Sequence, residues 1–190
     1  MDIVARAKGL ILRPEQEWQA IAAEPADTAG LFTGYAVPMA LIPAVAGFIG
    51  AALITGMMGG MMGTARVGML SLLMHSVVAY VLGLAGVYVL GKIIQMLAPR
   101  FGGTGEEVPA MKLAVYSPTA AWLAGIFAII PPLAILGILG LYSLYLFYVG
   151  AAPVARVARD KTVVFTLLVI VCAIVVNILV GAVAAGVLWM

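Results

Sequence analysis

Charge is what this sequence has least of. Only 9% of its 190 residues are Asp, Glu, Lys or Arg, against about a quarter in ordinary soluble domains. Hydrophobic residues make up 65% and the mean hydropathy is +1.18. That excludes an ordinary soluble domain and leaves room for one membrane domain. Cysteine is nearly absent: the single Cys172 rules out an intrachain disulfide and says nothing about redox compartment. Acidic residues are missing from every hydrophobic stretch, all eight lying before residue 28, at Glu106 and Glu107, or at Asp160. Proton- or cation-coupled transport usually needs buried carboxylates to bind and release the ion, so a pump or cation antiporter is disfavoured. Histidine is single too, and with no carboxylate at the depth of His75 no Ser-His-Asp arrangement can be assembled. The chain therefore reads as a non-enzyme with no cofactor. Also missing are a cleavable signal peptide, since Arg6, Lys8, Arg13 and Pro14 break the first apolar stretch, and the internal repeat of many secondary transporters.

What is present is five long hydrophobic runs, at about 31–54, 69–97, 113–130, 133–150 and 163–189, each near or above the roughly 20 residues of a bilayer crossing. They predict an all-α membrane protein: a five-span transmembrane helical bundle over 31–190, preceded by short amphipathic interfacial helices within a cytoplasmic segment, 1–30. Pro131-Pro132 forces a tight hairpin between the third and fourth spans. Nine of the ten Lys and Arg residues fall on one side of such a bundle; only Arg66 does not. Positive residues resist translocation, so the N-terminus is expected in the cytoplasm and the C-terminus outside. The Gly-rich connection 98–112 is expected to be the most mobile segment.

Ile3, Val4, Ala7, Leu10 and Ile11 recur at helical spacing, with Asp2, Arg6 and Arg13 opposite, as in a helix lying in the headgroup region. Pro14 suits the first position of a second helix, with Glu15 and Glu17 in its first turn and Trp18 and Ile21 on one side. Within the spans, Tyr35 and Tyr116 each precede a proline, Pro38 and Pro118. A bent helix frees carbonyls that a hydroxyl can reach, and the two sites suggest a polar pocket towards the cytoplasmic side. His75 and Asn177 are polar groups inside spans, read first as packing hydrogen bonds and second as functional sites. Tyr142, Tyr145 and Tyr148 fit an interfacial aromatic belt, as does Trp189 at the outer end. Met57, Met58, Met61 and Met62 crowd the loop after the first span. Thioethers bind soft ions such as Cu(I), which makes a metal site the alternative reading of that loop; flexible apolar filling is the plainer one.

The motifs Arg13-Pro14-Glu15-Gln16-Glu17-Trp18 with Ile21, Gly34-Tyr35 with Pro38, Tyr116-Ser117-Pro118, and Leu141-Tyr142-Ser143-Leu144-Tyr145 running to Gly150 follow one another along the chain. In this order they resemble the Yip family, named for interaction with Ypt/Rab GTPases, and in particular its bacterial branch. The resemblance implies a five-span bundle with a cytoplasmic N-terminus and an extracytoplasmic C-terminus. Eukaryotic relatives act in vesicle trafficking; the Ala- and Arg-leaning composition suits a GC-rich bacterium, which has no Rab. The expected function is membrane organisation or recruitment of partners at the cytoplasmic face of a bacterial inner membrane. Trp18, Tyr35, Pro38, Tyr116 and Pro118 would be the architects of that face. Membrane lipids and an unknown cytoplasmic-side protein are the expected partners, with a homo-oligomer as an option and nucleic acid excluded. The alternative is a small transporter or channel, for a soft metal if the Met-rich loop and His75 converge. A midplane cavity would favour transport, and a closed bundle the scaffold.

Overall fold

A computed structural model describes residues 2–59 and 68–186. Two short helices open the chain. Asp2 caps α1 (Ile3–Leu12) by accepting from the Val4 and Ala5 amides, and Pro14 starts α2 (Pro14–Ala23) with Glu15 and Glu17 in its first turn. Five helical segments then follow that are long and apolar enough to cross a membrane: Thr28–Gly56, Met69–Phe101, Glu107–Ile129, Pro131–Ala155 and Arg159–Gly186. No strand occurs among the described residues. The protein is an all-α membrane protein.

Span one begins as α3 (Thr28–Leu31), passes through a π-helical turn at Phe32–Ala36, and continues as α4 (Val37–Gly59). The Val37 amide reaches back five residues to the Phe32 carbonyl, shifting the ladder just before Pro38, which has no N–H to give. Span two is α5 (Met69–Leu97), closed by a 3₁₀ turn at Ala98–Phe101. Span three breaks at Ser117-Pro118 into α6 (Glu107–Tyr116) and α7 (Thr119–Ala124), then tightens to 3₁₀ over Gly125–Ile129. Span four starts with a 3₁₀ stretch, Pro131–Leu141, and becomes α8 (Tyr142–Ala155). Eleven residues of 3₁₀ helix reach about 22 Å where an α-helix would reach about 16 Å. Span five is α9 (Thr162–Gly186) after a 3₁₀ turn. Ile130 has extended backbone between the two 3₁₀ stretches and makes the expected hairpin with Pro131-Pro132.

Span three is the central one. Half of its most apolar window is buried within the protein, against about a sixth for each other span, whose outward faces are left for lipid. The core gathers at the end of the bundle that carries α1 and α2, around Leu10, Trp18, Ile21, Tyr35, Met111 and Leu146.

Four expectations change here. The connection 98–112 shrinks to residues 102–106, because α6 begins at Glu107. That short segment is tied down: the Gly103 amide donates to Ala98 O, Thr104 to Ala155 O, and the Gln95 side-chain amide to Gly105 O. Lys112 is thus inside a helix and not beside the membrane in a loop. In α1 the buried stripe is Arg6, Ala7 and Leu10, while Val4 is exposed, so the apolar face is rotated from the one the spacing suggests. That face is sealed against the bundle, and α2 packs along α8. Of the Met cluster, Met61 and Met62 lie outside the described residues, as does Trp189; Met57 and Met58 fall in the last turns of α4.

Candidate functional site

The site grows from the hairpin of α1 and α2. Folded back at Pro14, the two helices run antiparallel, so Arg6 faces the stretch of α2 bracketed by Glu17 and Glu24. Those acids are seven residues apart, two helical turns, and so share a face. Arg6 Nη1 donates to Glu17 Oε1 at 2.5 Å and Nη2 to Glu24. Gly9 permits this closeness, since a Cβ there would lie 2.1 Å from Glu17 Oε2.

Arg6 is only 7% exposed. Burial alone would lower its pKa, but Glu24 and Glu17 outweigh that and raise it. Its charge also lies 5.7 Å from the centre of the Tyr116 ring, a cation–π contact.

Lys112, 5% exposed, reaches from α6 to the end of α2 and donates to the Ile21 carbonyl at 2.7 Å and the Glu24 carbonyl at 2.5 Å. The last carbonyls of a helix have no partner within it, and an ammonium there also answers the helix dipole. One buried cation therefore clips α1 to α2, and another clips α2 to span three.

Beneath them sits a chain of rings. Tyr116 meets the Trp18 ring edge-on at 6.3 Å and the Tyr35 ring at 4.7 Å, and Tyr35 lies 6.4 Å from Trp122. Thr119 Oγ1 donates to the Tyr116 carbonyl at 2.6 Å, using its one hydrogen, so the Tyr35 hydroxyl donates to Thr119 Oγ1 at 2.9 Å. Ser117 Oγ donates to the Leu113 carbonyl at 2.6 Å. Hydroxyls thus serve carbonyls around the Pro118 break. Trp18 fits because Gly150 opposes it; a Cβ at Gly150 would lie 2.6 Å from its ring. A further ion pair, Lys92 to Glu107 at 2.8 Å, joins spans two and three, with Thr28 Oγ1 donating to Glu107 at 3.1 Å.

Of the residues singled out in the sequence, the fold brings Trp18, Tyr35 and Tyr116 into one cluster. Their rings are buried and fill an interior. Pro38 follows the π turn that holds Tyr35, and Pro118 makes the break that places Thr119 beneath Tyr116. His75 is remote from the cluster; its Nδ1 lies 2.8 Å from the Ala184 carbonyl of α9, so Nδ1 carries a hydrogen. Asn177 donates to Ala173 O in its own helix at 2.8 Å. Sequence reasoning missed Arg6, Glu17, Glu24 and Lys112 as one network, together with Thr119 and Trp122. The seven-residue spacing of Glu17 and Glu24 across a proline hinge from Arg6 was the available signal.

Here the comparison with known families decides the lineage. The model of the Yip1 domain matches residues 8–182. The chain belongs to the Yip1 domain family. The Yip1 match opens at Lys8 inside α1 and closes at Ala182 inside α9, so the ionic network and the ring chain lie almost wholly within it; Arg6 stands two residues before. No curated protein and no solved structure matches the chain.

Proposed function

We propose that this Yip1-domain protein is a non-enzymatic protein of a bacterial inner membrane, with its N-terminus in the cytoplasm and its C-terminus outside, that recruits partners at its cytoplasmic face. The observation that carries this is the N-terminal hairpin. Two buried cations and the Trp18–Tyr116–Tyr35 rings hold α1 and α2 as a folded platform, while α1 turns Val4, at 61% exposed, and Leu12, at 73%, away from the protein, with Lys8 between them. These three are four residues apart and form one amphipathic stripe. The asymmetry of basic residues supports the orientation. In this reading Trp18, Tyr35, Pro38, Tyr116 and Pro118 act by holding the platform in place.

The test separates surface from scaffold. Val4→Asp with Leu12→Asp should abolish capture of the partner in native membranes without changing protein level, and Tyr35→Ala with Tyr116→Ala should weaken capture by loosening the platform. Unchanged partners in both pairs would defeat the proposal.

A second reading, a small transporter or channel, is favoured by one observation: a cavity among the spans. Its lining contains no charged residue, which supports an apolar cargo over an ion. The metal version rests on Met57, Met58, Met61 and Met62; proteoliposome flux indifferent to their removal would dispose of it.

A further inference from the structure

The cavity measures about 670 Å³, inside the range of about 300–1,000 Å³ for small-molecule sites. It is long. The face of α5 that lines it runs from Leu72 to Leu90, about 27 Å at 1.5 Å per residue, close to the roughly 30 Å of a bilayer's hydrocarbon core. Across from it, α4 supplies Ala40, Ala44 and Gly47, and span three supplies Trp122.

The polar groups on its walls are largely engaged within the protein. His75 holds the Ala184 carbonyl, Ser76 that of Leu72, Tyr80 that of Val37, Ser117 that of Leu113 and Asn177 that of Ala173. Ser143 accepts from the Ala121 amide. A buried water needs two to four polar partners, so a column of water is poorly served here. The space itself is real: a Cβ built at Gly47 of α4 or at Gly83 of α5, both lining residues, meets nothing within 4 Å.

The bundle also leaves a way in. Helix α9 packs on α5 and α8, whereas the 3₁₀ half of span four packs on α7 and on the end of span three. Among the described residues, these two elements do not pack closely on one another in the far half of the bundle. Leu144, at the edge of this gap, lines the cavity and is exposed.

We infer that the cavity takes the hydrocarbon tail of a membrane lipid, which enters sideways between spans four and five and lies against Trp122. Charge is absent from the lining, the length matches a membrane's apolar core, and the solvent at the opening is acyl chain. This inference is independent of partner recruitment.

The experiment uses the full chain in vesicles of phosphatidylcholine brominated in its acyl chains, a contact quencher of tryptophan. Trp122 is 9% exposed and lines the cavity, so a brominated chain lying in the cavity is in contact with its ring. Its emission is obtained as the difference between the protein and Trp122→Phe. That component should be quenched severalfold relative to unbrominated vesicles. Gly83→Leu on α5 and Gly47→Leu on α4 should each restore most of it by filling the space. An unquenched Trp122, or quenching unaltered in a filled variant that unfolds at the normal temperature, overturns the inference. Quenching by aqueous iodide in place of bromolipid also overturns it and marks a water path through the spans. If neither leucine variant folds, the comparison of the protein with Trp122→Phe still decides.

Discussion

Gly150→Ala should loosen the N-terminal hairpin while leaving the spans in place. A Cβ at residue 150 would stand 2.6 Å from Trp18 Cε2, 2.8 Å from Trp18 Cδ2 and 2.8 Å from Leu113 Cδ1, where carbon atoms rest at about 3.5–4.0 Å. The indole must retreat by about 1 Å to restore that contact. It has nowhere to go, being fully buried with the Tyr116 ring at its edge. Forcing a methyl into such packing costs about 1–3 kcal/mol. Because Trp18 belongs to α2, that cost falls on the docking of α1 and α2. Amide hydrogen exchange reads it directly: protection over residues 3–23 should fall by about 5- to 150-fold, since each 1.4 kcal/mol is a factor of ten. Gly137→Ala is the control, as nothing lies within 4 Å of a Cβ there. Adding Trp18→Phe to Gly150→Ala, which removes part of the clashing ring, should recover some of the lost protection. Undiminished protection over 3–23 in a folded Gly150→Ala protein would refute the wedge.

Lys112→Met leaves the Ile21 and Glu24 carbonyls without their donor, at about 1–3 kcal/mol for a stranded buried group. It should open residues 24–27 to protease, and Lys112→Leu should do the same. Arg6→Met strands two carboxylates; because Glu24 is half exposed, the loss should fall below the roughly 3–5 kcal/mol of a fully buried pair. Adding Glu17→Gln should return part of it, and a thermal unfolding series over the single and double variants checks both signs. His75→Leu removes one hydrogen bond to a carbonyl and should lower stability by only about 0.5–1.5 kcal/mol. A larger drop in the unfolding midpoint than that implies would give His75 more than a packing role.

The five spans were legible because hydropathy alone decides them, and Pro131-Pro132 announced its hairpin. Tyr35 and Tyr116 were legible because each precedes a proline that bends its span, and Trp18 because it shares the apolar side of α2 with Ile21. Arg6 was misplaced for a clear reason. A stripe drawn on one helix puts every charge outside, and what makes Arg6 tolerable inside is a pair of acids on a different helix. Lys112 read as a loop residue because it follows a glycine-rich run, and only the fold shows that it ends α2. Close helix approach on α5 occurs at Gly86, with Val176 at 3.2 Å from an added Cβ. Gly83, on the same helix, borders empty space. A cavity is set by the distance between helices, which no single helix's periodicity records.

The central claim is that the hairpin presents a partner-binding stripe on the cytoplasmic side. A photo-crosslinking residue placed at Leu12 in native membranes tests it most directly, with one at Ile138 on the exposed 3₁₀ half of span four as reference. The account predicts a discrete protein adduct from position 12, absent from position 138, and lost when Val4→Asp or Gly150→Ala is added. Crosslinks from position 12 to lipid alone, or a protein adduct indifferent to those two substitutions, would contradict it.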